Sequence, residues 1–346
     1  MSPVDRYSCR HGGELVPGPD PLRIMSLSLR DNSGMTAQTD AEGRLVHLLT
    51  LDGLPRPALE ALLDRAQAFA DGEDARGALA GTAVCTLFFE PSTRTRLSFQ
   101  RAAQRLGADV LGFDAATSST TKGETARDTL QNIEAMGVRG FIVRHSGDGA
   151  VAELAAVAGP GTALVNAGDG RSAHPTQGLL DMLTLRQAFG ADFGARRFLI
   201  VGDVKHSRVA RSDLHALRTL GAGAIRVCGP AALLPDDDAL AGCEVVHDLD
   251  AALDGVDAVM MLRLQRERME EGLVGSLEDY HRDYGLTPAR LARAASAAVV
   301  LHPGPLNRGV EISDAVADGP QSLILRQVAN GVAVRMAVLE ALLGPP

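Results

Sequence analysis

The chain has 346 residues, 45% hydrophobic and 22% charged, an ordinary globular composition with length for about two domains that excludes a disordered or fibrous protein. A formal charge of −9, and no apolar run approaching the ~20 residues of a membrane span, argue against nucleic acid or membrane as partners. The four cysteines, Cys9, Cys85, Cys228 and Cys243, have neither paired nor metal-ligand spacing and no secretory signal opens the chain, so a reducing cytoplasm, no metal and no structural zinc are expected.

Residues 1–38, rich in Gly, Pro, Ser and Arg, read as an irregular N-terminal tail. Leu59, Leu62, Leu63, Ala66 and Phe69 then fall at helical spacing and predict a helix over 57–70. β-rich runs at 82–89, 110–113, 140–143 and 163–166 alternate with helical patterns at 94–106, 125–136, 149–158 and 177–189. A second alternating unit has strands at 198–201, 225–228, 245–246, 258–261 and 298–301, with a helix at 208–220. A last helix over 321–343 places Ile324, Val328, Val332, Met336 and Leu339 on one stripe, with Asn330 and Gly331 weakening its middle. This rhythm predicts an α/β protein of two doubly wound parallel-sheet domains joined by helices, with the active site in the interdomain crevice.

The informative motifs all fall in loops after strands, where α/β sheets bind ligands. Ser92, Thr93, Arg94 and Thr95 open a helix, and its free N–H groups, hydroxyls and guanidinium suit a phosphate; a Ser/Thr cap with solvated arginines fits those residues equally well. The loop 115–124 carries Ser118 and Lys122, one of only two lysines beside 32 arginines, and by itself reads first as an ordinary surface loop. Arg144 ends a strand, His174 and Gln177 begin a helix, and Gly304 and Pro305 belong to a proline-stiffened turn after His302. Gly202–Arg208 occupies the place of a dinucleotide-binding turn but lacks the G-x-G-x-x-G spacing, so it delivers Arg208 to the crevice instead of a cofactor. Arg263 and Gln265 follow the strand at 258–261.

Taken in order, STRTR, KGET, VRH, HPTQ, VGD-K-x-x-R, R-x-Q-x-E-R and HPGP resemble the aspartate/ornithine carbamoyltransferase family over about residues 45–343. The resemblance implies a carbamoyl-phosphate domain of residues 39–180 plus 325–346 and an aspartate domain of residues 181–324. It assigns Ser92, Thr93, Arg94 and Thr95 to the phosphate. Thr95, Arg144 and His174 go to the carbonyl oxygen, with Arg94, Thr95, Arg144 and His174 forming the catalytic set. Gln177 and the carbonyls around Gly304 and Pro305 go to the amide nitrogen. Arg208, Arg263 and Gln265 would clamp the carboxylates of L-aspartate. Ser118 and Lys122 would reach into a neighbouring subunit, implying a homotrimer with shared sites and no cofactor. Two arginines where the ornithine branch needs a carboxylate favour aspartate as acceptor, hence an early step of pyrimidine synthesis. Whether regulatory or dihydroorotase subunits join such a trimer is left open.

Overall fold

The computed structural model describes residues 38–115, 118, 122–236, 238–264 and 275–345. The expected tail, apart from Gln38, therefore lies outside the described residues, as does Gln265. Two parallel sheets organise the chain. The first has strands β1 (Ala83–Phe88), β2 (Asp109–Asp114), β3 (Gly140–His145) and β4 (Ala163–Asp169) in the order β2-β1-β3-β4. The second has β5 (Arg197–Val201), β6 (Ala224–Cys228), β7 (Glu244–Val246), β8 (Ala258–Met261) and β9 (Val299–Leu301) in the order β7-β6-β5-β8-β9. Val84–Phe88 and Ala163–Asp169 are buried without interruption. Strands covered by helices on both faces need such continuous burial, which explains why their sequences do not alternate.

The principal helices are α1 (Arg56–Ala70), α2 (Thr93–Arg105), α3 (Ala126–Ala135), α4 (Ala150–Ala155), α5 (Pro175–Phe189) and α6 (Arg208–Thr219), with short helices following. The chain ends in a 20-residue helix, Ile324–Leu343. Helix α5 is buried at every position from Pro175 to Leu185, because it is enclosed by β4, α1, the C-terminal helix and, from the second domain, α6. It is thus the central rod on which the two domains are mounted.

The C-terminal helix departs from the expected stripe. Val328 is 48% exposed and lines the crevice, and Leu325 is 84% exposed. The buried side of that segment is instead polar and small, with Gln327, Asn330 and Gly331 turned inward. Gly331 is required there: a Cβ would come within 2.4 Å of Arg335 Nη1 and 3.3 Å of Leu180.

Candidate active site

Both sheets reverse their winding direction once, between β1 and β3 in the first and between β5 and β8 in the second. A crevice forms outside the carboxyl ends of strands at such a switch point. Here the two crevices face one another and enclose a cleft of about 1060 Å³. Its lining carries six arginines (Arg94, Arg144, Arg171, Arg208, Arg263, Arg335) against three carboxylates (Glu90, Asp148, Asp203), so its charge is opposite in sign to that of the whole chain. Low-dielectric walls lined with one sign of charge concentrate ligands of the other, and this cleft selects anions.

At the first switch point, Ser92 is the N-cap of α2 but its side chain makes no capping hydrogen bond, unlike those of Thr125, Ser207, Ser276 and Thr287 at other helix starts. The cap interpretation therefore fails for Ser92, which lines the cleft beside Thr93 and Thr95. Arg94 reaches across to donate from Nη2 to the Pro303 carbonyl, 3.0 Å away. Gly304 sits at φ +64°, and a Cβ there would lie 1.8 Å from Arg94 Nη1, so only glycine leaves room for this guanidinium. One carbonyl of the 302–305 turn is thus engaged by Arg94. His302 itself is occupied within the turn, accepting at Nδ1 from Gly304 N–H at 2.7 Å and meeting Glu311 at Nε2.

His174 stands at the N-cap of α5 without capping it, and its backbone N–H donates to Ser212 Oγ on α6 at 2.9 Å. The imidazole is buried, and its Nδ1 has no hydrogen-bond partner among the described residues. Burial first, and then the charges of Arg144, Arg208, Arg335 and Arg94, push its pKa well below the usual histidine value, so the ring is neutral. One turn on, Gln177 lines the cleft, with Nε2 donating backwards to Asp181.

A single carboxylate joins the two domains. Glu90, in the loop after β1, accepts from Arg208 Nη1 and Nη2 at 3.1 and 2.8 Å and from Arg144 Nη2. Arg144 also donates to the Ala167 carbonyl at 3.1 Å, and Arg208 to that of Gly170 at 3.2 Å. Burial works against ionisation of Glu90, but the hydrogen bonds and charges of the two arginines outweigh it and hold the carboxyl below its ordinary range. Gly168, at φ +113°, permits this crowding, since a Cβ would lie 2.9 Å from Arg144 Nη1 and 3.1 Å from Arg208 Nε. On the second domain's wall Arg263 has a buried Nε without a hydrogen-bond partner among the described residues. His206 Nδ1 pairs with Asp203 at 2.8 Å, and Lys205 lies near exposed Asp236 at 3.6 Å.

The structure thus gathers Ser92, Thr93, Arg94, Thr95, Arg144, His174, Gln177, Arg208, Arg263, Gly304 and Pro305 around one cleft. It does not bring Ser118 or Lys122 there: they follow β2, the edge strand, where Ser118 Oγ donates to the Ala115 carbonyl and Lys122 is exposed. Sequence reasoning missed Glu90, although a carboxylate directly before a phosphate-type loop, among so many arginines, was a usable signal. It also missed Gln327 and Arg335 in the cleft lining and Asp181 behind it, which carry no local motif. Among the described residues no cluster of His, Cys, Asp and Glu has metal-binding geometry, and no helix is long and apolar enough to cross a membrane.

Comparison with known proteins agrees with the fold of two parallel-sheet α/β units. Residues 46–187 match the aspartate/ornithine carbamoyltransferase carbamoyl-P binding domain, and residues 195–342 match the Asp/Orn binding domain of the same family. The chain is 75% identical over 313 residues to the aspartate carbamoyltransferase catalytic subunit of Xanthomonas campestris pv. campestris (strain B100), covering 89% of this chain and 99% of that one. It is 74% identical over 316 residues to the subunit of the same name from Stenotrophomonas maltophilia (strain R551-3), covering 90% and 100%. Among solved structures, aspartate transcarbamoylase from Trypanosoma cruzi in complex with carbamoyl phosphate and aspartate superposes with a TM-score of 0.76 at 30% identity, covering 86% of this chain and 97% of that one. Ornithine carbamoyltransferase from Thermus thermophilus gives 0.76 at 28% identity, covering 86% and 98%.

Proposed function

The chain belongs to the aspartate/ornithine carbamoyltransferase family, and we propose that it transfers the carbamoyl group of carbamoyl phosphate to the amine of L-aspartate, giving N-carbamoyl-L-aspartate and phosphate. The observation that carries this reading is the cationic cleft at the paired switch points, with hydroxyls and Arg94 on one wall and Arg208 and Arg263 on the other. Both reactants are anions that repel each other in water. At an effective dielectric of ~20, one charge pair at ~4 Å contributes about 4 kcal/mol before desolvation, so several preorganised guanidiniums offset that repulsion.

Ser92, Thr93, Thr95 and Arg94 hold the phosphate. Thr95, Arg144 and neutral His174 donate to the carbonyl oxygen, where negative charge grows as the amine adds. Gln177 accepts from the carbamoyl NH₂ through Oε1, since its Nε2 is committed to Asp181, and the Gly304–Pro305 turn closes the same end. Arg208, Arg263 and Gln265 orient the aspartate carboxylates. The tetrahedral adduct collapses by breaking its bond to the phosphate oxygen, and the departing phosphate takes the proton released by the amine. No protein nucleophile is required, and alignment of the two reactants supplies much of the acceleration.

The C-terminal helix packs on α1, α2 and α5, which supports a carbamoyl-phosphate domain of residues 39–180 with 325–346 and an aspartate domain of residues 181–324. Ser118 and Lys122 stand away from their own cleft, which fits a cytoplasmic homotrimer in which each subunit completes its neighbour's site. The catalysed step belongs early in pyrimidine synthesis. Supplying carbamoyl phosphate with either L-aspartate or L-ornithine tests the assignment: carbamoyl aspartate is expected, and citrulline as the sole product would overturn it.

A further inference from the structure

Directly beneath the cleft, Asp181 of α5 and Asp213 of α6 are both fully buried. Asp181 accepts three hydrogen bonds from two glutamine amides: Gln177 Nε2 at 3.1 and 3.2 Å, and Gln327 Nε2 at 2.6 Å. Gln327 in turn accepts at Oε1 from the His302 backbone N–H at 2.9 Å, where the 302–305 turn begins. One carboxylate therefore fixes which end of each amide points where. With Nε2 drawn to Asp181, Gln177 must offer its oxygen to the cleft, and Gln327 must offer its oxygen to the turn.

Asp213 completes the group from the neighbouring helix α6. Neither of its oxygens receives a hydrogen bond from a donor among the described residues, and the helix that carries it packs on α5 so that its carboxyl interacts with that of Asp181. Two interacting carboxyls that are both fully buried cannot both ionise, and a proton held between them satisfies the oxygens that otherwise lack a donor. The remaining charge nearby is Arg335 on the C-terminal helix, buried, donating to the Gly331 carbonyl at 2.9 Å and attracted by Asp181. One proton between two carboxyls leaves a single negative charge, which balances that guanidinium.

We propose that Asp181 and Asp213 share one proton between the packed helices α5 and α6, and that this pair positions both Gln177 and the 302–305 turn for the carbamoyl amide. The role rests on the functional reading above. Burial raises both carboxyls. Asp181 already accepts three amide hydrogen bonds that favour its charged form and Asp213 accepts none from the described residues, so the proton resides on Asp213 and the acceptor is Asp181. Asp213 is a positioning residue: it touches no substrate and acts through Asp181 and the two glutamines.

Infrared spectroscopy and kinetics on the full-length assembled protein test this together. The unaltered protein near pH 8 is expected to show the carbonyl stretch of a protonated carboxylic acid, absent from Asp213→Asn; its absence from the unaltered protein overturns the proposal. Asp213→Leu removes the donor to a charged acceptor and is expected to raise KM for carbamoyl phosphate about tenfold. Asp213→Asn donates N–H in place of O–H and is expected to recover most of that loss. An asparagine variant no better than leucine defeats the positioning role. If no carbamoyl aspartate forms with any variant or with the unaltered chain, the functional reading fails and takes that role with it, while the infrared band alone still decides whether the proton is there.

Discussion

Glu90 of the first domain and Arg208 of the second are joined by two hydrogen bonds, 2.8 and 3.1 Å long, with Arg144 on the same carboxylate. The pair spans the cleft while occupying an arginine that the proposed function assigns to aspartate. Two guanidiniums are thereby held near one another, and their mutual repulsion already lowers the pKa of Arg144 after burial. Glu90 makes that crowding tolerable.

Glu90→Gln keeps the shape and removes the charge. Arg144 and Arg208 are then expected to spread, lowering kcat/KM for aspartate about tenfold to a hundredfold, or roughly 1.4–2.7 kcal/mol of transition-state stabilisation. The group is partly exposed, so the accompanying loss of folding stability is modest, about 1–2 kcal/mol rather than the full value for a buried pair. Steady-state kinetics alongside thermal unfolding check both; wild-type kinetics from this variant would show the bridge to be incidental.

Gly168→Ala attacks the same arrangement from the backbone. Its φ of +113° disfavours any Cβ, and the added methyl would press on Arg144 and Arg208 together. The cost in stability is about 1–2 kcal/mol, and activity falls at least about tenfold because both arginines must move. A crystal structure of the variant with unshifted guanidiniums and full activity would contradict this account.

Much of this was legible from the sequence, and the reason is local. Strands such as Ala258–Met261 announce themselves by continuous apolar runs, and the loops after them carry their side chains to the cleft by the geometry of a parallel sheet. What stayed hidden depends on distance along the chain. Glu90 meets Arg208 118 residues away, and Asp181 meets Gln327 146 residues away. No spacing rule links such positions. Val328 was misplaced for a related reason: an apolar residue at helical period looks like core, but here the cleft claims that face.

Acid should destabilise the protein through its buried histidines. Burial holds His47 at about 4, and its Nδ1 accepts from the Leu164 N–H at 3.1 Å, which requires that nitrogen to be unprotonated. In the unfolded chain the ring titrates near 6.5, so below that value the unfolded state binds more protons and stability is lost as pH falls through it. For His47 alone this amounts to about 2 kcal/mol at pH 5, and His174 acts in the same direction. Asn at position 47 retains an acceptor without titrating. His47→Asn should therefore flatten the dependence of Tm on pH between about 7 and 5, and an unchanged slope would remove His47 from the explanation.

The separation of Lys122 from its own cleft leads to a test of shared sites. If each site takes Arg94 from one subunit and Lys122 from the next, then Arg94→Ala and Lys122→Ala trimers are each inactive for different reasons. In a mixed ring, one junction sets an intact Arg94 against an intact Lys122, whichever variant is in the majority. Random reassortment of equal amounts makes about three quarters of the trimers mixed, each with one working site in three, so recovered activity should approach roughly a quarter of the unaltered enzyme. Mixing after mild dissociation, followed by assay and sizing, measures this directly. Sites complete within one chain would recover nothing, and Lys122 would then be only the solvated loop residue that its exposure alone suggests.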